Sequence, residues 1–244
     1  ILDPGEVIHR INQTNSQVYD YHGKEDYDAS YFMVDLDFGS FFNLISGFRK
    51  ETIQTIYYGQ KVINHPYSEI IYTGNITSHK RNNSHLLPAL FLRYKPTSWL
   101  NIRFSRTNTL ARPDYVSIVP LERIDGLSRS IEWRNKYLEP GLSKNTDLAV
   151  AIHNDFVGVF SFGYFHKDIN NLVFASGSKV ILSGEATKFD LSQDYENFKI
   201  TNFERNNDKS VILNGFEFDY QTRFWFLPGL LNGLVLNTNY TLLK

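Results

Sequence analysis

Carboxylates spaced two apart are the residues best placed for acid–base chemistry in this chain: Asp35 with Asp37, and Glu217 with Asp219. General acid–base catalysis needs two such groups converging on one substrate with their pKa values pushed apart. Each pair here occupies alternate positions of a β-type pattern, so both members share one wet strand face instead of converging. A nucleophile elbow of the Gly-x-Ser-x-Gly type does not occur. His65, His79 and His85 fall in one polar stretch, but their spacing matches no compact ligand motif. The chain has 0 Cys, which excludes disulfides and thiolate metal sites, and its 15 Gly form no phosphate cradle. No catalytic residue, metal site or cofactor is therefore assigned, and the chain reads as a non-enzyme.

The remaining charged side chains follow a different logic. Arg93, Lys95, Arg103, Asp147, Lys167, Glu217, Asp219 and Arg223 sit on the polar positions of alternating segments. In VILNGFEFDYQTRFWFLPGLLNGLVLNTNYTLLK (211–244), Phe216, Phe218 and Tyr220 alternate with Glu217, Asp219 and Gln221, and Leu234 and Leu236 alternate with polar residues. A strand built this way has one apolar face and one wet, charged face. Long arms, a charged polar face and aromatics at the turn (Phe224, Trp225, Phe226) point to a membrane barrel with lipid outside and water or a plug inside.

The same pattern recurs in pairs: 31–39 with 41–58, 86–96 with 99–113, 144–154 with 159–174, and 211–223 with 234–243. Short turns fall near residues 40, 97, 156 and 230. Between the pairs lie long polar stretches, at 59–85, 114–143 and about 175–210, which we read as loops. Short–long alternation over four hairpins fits an outer-membrane barrel, with short periplasmic turns and long extracellular loops. Phe38, Phe41, Phe42, Tyr94, Trp99, Phe156 and Trp225 cluster near the short turns, as an interfacial girdle would. Eight strands without a helical period make the class all-β and antiparallel.

Global numbers are compatible with that class. Net charge is −1, which gives no electrostatic case for nucleic acid. Aromatics make up 15% of the 244 residues. A mean hydropathy of −0.33 is no objection, since only alternate barrel residues face lipid. No stretch is long and apolar enough for a transmembrane helix. Without an initiator Met or a signal-type apolar region, we read residues 1–244 as part of one barrel domain of a longer polypeptide.

LLPALFLRYKPTSWLNIRFSRTNTLARPDY (86–115) resembles the barrel of TonB-dependent receptors, where a "LLPSLNLRY"-like strand turns into one ending "TLARPDY". KYLEPGLSKNTDLAVAI (136–152), GYFHKDINNLVF (163–174) and NGFEFDYQTRFWFLPGLLNGLVLNTNYT (214–241) continue the resemblance in order and at similar spacing. The usual Lys-Pro-Glu step is altered at Leu138-Glu139-Pro140. Coverage runs from about Tyr31 to the C-terminus. The resemblance implies about eight of the family's 22 strands, without the plug domain, the TonB box or the closing strands.

It further implies active uptake across the bacterial outer membrane of a scarce nutrient such as a siderophore chelate, cobalamin or a glycan. The plug would be moved by the TonB complex. Outer-membrane lipid, a small-molecule or glycan ligand, and a surface lipoprotein or other envelope protein are the partners this implies. The column Arg93, Arg103, Asp147, Lys167, Glu217, Asp219 and Arg223 would face the plug or transport path. Arg112, Tyr115, Trp133 and Arg134, at strand ends or in the 114–143 loop, are the candidates for ligand or partner contact. Two rivals remain: a non-transporting barrel that docks partners in an envelope complex, and a soluble β-sandwich that buries Phe216, Phe218, Leu234 and Leu236 against a second sheet.

Overall fold

The computed structural model describes residues 19–64 and 71–244, with backbone alone at 64 and 71–75. Eight long strands form a continuous antiparallel wall. They are β1 (His22–Phe38), β2 (Phe42–Asn64), β3 (Ile71–Thr97), β4 (Leu100–Ala111), β7 (Gly141–Asn154), β8 (Gly158–Asn170), β13 (Val211–Arg223) and β14 (Val235–Leu243). They lie side by side in that order. Short turns close each hairpin at one end. Gly39 (φ 62°) and Gly158 (φ 98°) supply left-handed backbone at two of them.

Register assigns every side chain to a face. Phe38, Phe42, Tyr94, Ile102, Val150, Phe162, Phe218 and Tyr240 form one row across all eight strands. The next row on that face is Leu36, Leu44, Leu92, Phe104, Leu148, Tyr164, Phe216 and Leu242. The opposite face carries Asp37, Asn43, Arg93, Arg103, Ala149, Gly163, Glu217 and Thr241 in one row. On the apolar face, β1 stays apolar up to Phe32 and β2, interrupted at Ser46, reaches Phe48, whereas β4 and β8 turn polar at Arg106 and His166, in the row of Val34 and Ser46. An apolar band that slides along successive strands is what tilted strands in a bilayer require.

Among the described residues no second sheet covers that face. Phe216, Phe218, Leu234 and Leu236 are 38–49% exposed, which overturns the sandwich alternative. Among the described residues no helix is long and apolar enough to cross a membrane, a test that says nothing of strands.

Two expectations are corrected. The described residues of the 59–85 stretch are strand and not loop: β2 runs to Asn64 and β3 starts at Ile71, paired to Ile63 through a bulge at Lys61/Val62. The Asn82-Asn83-Ser84 run lies inside β3, opposite Gln54, Ile53 and Thr52, with Thr52 and Ser84 hydroxyls 3.2 Å apart. Above the bilayer both strand faces meet water, so the alternation vanishes while Thr, Ile, Tyr and Val still favour extended backbone. His79 and His85 are thus strand residues; His65 lies outside the described residues.

The 114–143 and 175–210 stretches are also ordered. They contain β5 (Glu122–Asp125), β6 (Ser130–Trp133), β9 (Val173–Ala175), β10 (Lys179–Val180), β11 (Lys199–Thr201), β12 (Glu204–Asn206), a one-turn helix α1 (Tyr115–Ile118) and 3-10 turns. β5 pairs in parallel with β2 at Lys61–Asn64, just beyond Tyr58, where β1 stops. From there the sheet continues β5-β6-β11-β10. Gly59 permits this junction, because a Cβ there would stand 1.6 Å from the Pro120 carbonyl oxygen. The buried core of the described residues sits mostly in this loop layer: Ile124, Ile131, Trp133, Ile181, Phe189 and Ile200 pack in one cluster. The wall itself has apolar side chains facing outward.

Candidate functional site

At the upper end of the wall, beyond the apolar band, the polar face of β1–β3 meets the end of β4 and α1. Period-2 geometry places Glu25 and Tyr27 of β1, Glu51, Ile53, Thr55 and Tyr57 of β2, and Arg81, Asn83 and His85 of β3 on this one face. Pro113 and Tyr115 roof it, giving a pocket of about 400 Å³. That size suits a small-molecule ligand.

Its charges are organised around two carboxylates. Glu51, only 8% exposed, forms ion pairs with Arg49 and Arg112. Burial pushes its carboxyl up, but hydrogen bonds from Tyr27, Arg49 and Arg112 outweigh that and hold it below the usual range. Arg112 also stands 5.3 Å above the Tyr27 ring. Glu25 accepts from the Tyr57 hydroxyl and, at 3.2 Å, from the Tyr115 hydroxyl. Burial and this carboxylate drive the Tyr57 phenol well above its ordinary range. Arg81, buried, donates to the Leu138 carbonyl oxygen and lies 3.9 Å from Glu139.

The four candidates from the loops separate. Arg112 and Tyr115 reach the pocket. Trp133 does not present its ring to an open site: it is 5% exposed, packs edge-on to Phe189 at 5.2 Å, and donates from Nε1 to the Phe189 carbonyl at 3.1 Å. Arg134 stands 5.9 Å over the Tyr19 ring, while its backbone bonds Leu121. His79 meets the Tyr137 ring edge-on at 5.0 Å, and burial with nearby Arg81 and Lys136 lowers its pKa. No group of metal-ligating side chains gathers among the described residues.

Lower on the same face, register brings Arg93 directly opposite Arg103, with Glu217 further along the row and Asp147 and Lys167 on the rows above. Asp219 and Arg223 share the Glu217 side of β13. Hydrogen bonds from neutral donors to carboxylates stitch this surface: Asn43 donates to Asp35 at 2.7 Å and Asp37 at 2.9 Å, and Ser105 donates to Asp147 at 2.9 Å. None of Arg93, Arg103, Lys167, Glu217, Asp219 or Arg223 has an ion-pair partner among the described residues. Like charges directly opposed on adjacent strands destabilise unless another group compensates them.

Glu25, Tyr27, Glu51, Thr55, Tyr57 and Arg81 were not singled out from sequence. Their signal was the same-parity spacing of Glu51, Ile53, Thr55 and Tyr57 within the 41–58 strand, and of Glu25 and Tyr27 just before the 31–39 strand; Arg81 falls in the 59–85 stretch.

A wall with one lipid-compatible face, a charged opposite face and a folded loop layer above is the architecture of an outer-membrane barrel. The chain belongs to the TonB dependent receptor-like β-barrel family, whose model matches residues 5–244. It matches none of the curated proteins by sequence. Its fold is similar to the Serratia marcescens hemophore receptor HasR in complex with its hemophore and heme (TM-score 0.56, 16% identity, 82% of this chain, 32% of that one). It is also similar to the Neisseria meningitidis FrpB iron transporter (TM-score 0.52, 14% identity, 95% and 29%). A third match is the ferric-catecholate import receptor Fiu of E. coli (TM-score 0.52, 11% identity, 92% and 29%). The chain thus spans about a third of the length of these structures. The family is one of transport receptors of the Gram-negative outer membrane.

Proposed function

We propose that the chain is part of the barrel wall of an outer-membrane receptor that takes up a scarce nutrient with energy delivered through TonB. The observation that carries this is the two-faced wall: one face an unbroken apolar band, the other bearing charges that find no counter-ion among the described residues. Strands paired to the outer edges of β1 and β14 would close the barrel, since open edges are not tolerated in lipid. The polar face then lines the lumen. Arg93 and Arg103 meet acidic groups of a plug domain, and Glu217 and Asp219 meet basic ones. Arg112, Tyr115 and the upper pocket face the extracellular ligand; Trp133 holds the loop layer in shape. The work is conformational and involves no covalent chemistry.

The test is capture of the periplasmic domain of TonB by the purified full-length protein. Saturable binding that is lost on deleting the segment N-terminal to its plug supports transport. Absence of binding overturns transport in favour of a barrel that only docks envelope partners.

A further inference from the structure

The upper pocket differs in electrostatics from a site built for an anionic chelate. We propose that it takes a neutral polyhydroxylated ligand, an oligosaccharide, as the cargo of this receptor; this rests on the uptake reading above.

Cations lining the pocket are already engaged. Arg112 is paired with Glu51 and stacked over Tyr27. Arg81 turns towards the loop, bonded to Leu138 and near Glu139. The carboxylates are not balanced in the same way: Glu25 and Asp114 line the pocket, and neither has a cation within ion-pair distance among the described residues. The charged groups of the lining are two of each sign, Arg81 and Arg112 against Glu25 and Asp114, and offer a multiply anionic chelate no net positive field.

Besides these two carboxylates, the groups left with hydrogen-bonding capacity are neutral. Thr55 Oγ1 and His85 Nε2 are buried without a partner, and Thr55 is 7% exposed. Both line the pocket, with the Asn83 amide on the same face of β3 between Arg81 and His85. Buried polar groups without partners are costly, so a site holding several is poised for a ligand that supplies them. A sugar hydroxyl both donates and accepts, so it satisfies a threonine hydroxyl, an amide and either imidazole tautomer. The rings of Tyr27 and Tyr115 border the pocket and are exposed, offering flat apolar surface for the C–H faces of a pyranose.

The experiment uses the full-length receptor, plug and barrel together, purified in detergent. Labelled receptor is applied to an array of neutral oligosaccharides, and in parallel is titrated with ferric enterobactin, a trianionic tris-catecholate, by intrinsic fluorescence. The expected result is saturable binding to a neutral glycan and none to the chelate. Thr55→Val and Asn83→Leu each weaken glycan binding about tenfold, while Thr55→Ser retains it; heat-modifiable gel mobility confirms that every variant forms the barrel. Saturable binding of ferric enterobactin overturns the inference, as does an array with no glycan bound above background. TonB capture is read independently, so a blank array with intact capture removes the glycan assignment and leaves the uptake reading standing.

Discussion

Arg112, at the end of the fourth strand, donates to the carboxylate of Glu51 on the second, linking the loop entry to the upper wall across two intervening strand boundaries. Glu51 keeps Arg49 as a second partner, so removal of Arg112 does not orphan it. Arg112→Ala is expected to cost on the order of 1 kcal/mol, since the guanidinium is partly exposed. Glu51→Ala is expected to cost more, about 2–3 kcal/mol, because it leaves two arginines without a counter-ion. Denaturant unfolding of the full receptor in detergent reads both; equal effects would contradict the arrangement.

Phe218 lies in the apolar row between Phe162 and Tyr240. Phe218→Lys should destabilise the barrel by about 2–4 kcal/mol in reversible folding into lipid vesicles, as expected for a lysine near the bilayer midplane. Its neighbour Asp219, on the other face, should tolerate Asn with far less loss. A comparable penalty at both positions would refute the face assignment.

Trp133 is the keystone of the loop core. Trp133→Ala should cost about 3–5 kcal/mol locally. Hydrogen exchange should speed up over 122–133 and 179–200 while the wall strands β7 and β8 stay protected. Uniform loss of protection would mean that loop layer and wall unfold as one unit.

Gly59 gives a separate handle on the same layer. Gly59→Val should push Pro120 away and release β5 from β2, seen as faster exchange at 122–125 in a receptor that still shows barrel-like gel mobility. Unchanged exchange there would argue against the close approach.

Glu185 carries the pH dependence. Hydrogen bonds from Lys179 and then Lys188 lower its carboxyl to about 2 from an ordinary 4.5. A depressed carboxyl pKa adds stability above the unfolded value and loses it as pH falls towards the folded one. The 179–200 segment should therefore loosen between pH 4.5 and about 2, and Glu185→Gln should flatten that change in exchange rate.

The wall was legible in the sequence because lipid on one side and water on the other force strict alternation: Phe216, Phe218 and Tyr220 against Glu217 and Asp219 suffice to orient a strand. Where both faces are wet the signal weakens: it blurs at Thr52 and Gln54, and at Asn82 and Ser84 it is lost, so that stretch reads as loop. The loop core was hidden for another reason. Ile124, Ile131 and Ile200 come from strands of three or four residues, and Ile181 directly follows one of two, too short for any period to emerge. The pocket was half legible: Arg112 and Tyr115 drew notice as an Arg and an aromatic at a strand end, but Glu25, Glu51 and Arg81 meet them only through register over distant strands.

The parallel seam between β5 and β2 also matters for how copies of the receptor coexist in a crowded leaflet. A strand that outruns its neighbour into water leaves a bare row of amides and carbonyls, ready to zip onto the same row of an adjacent molecule. Above Tyr58, β2 would present such a row, and β5 covers it from within the same chain. The seam thus acts as a guard against cross-linking of receptors into strand-swapped aggregates.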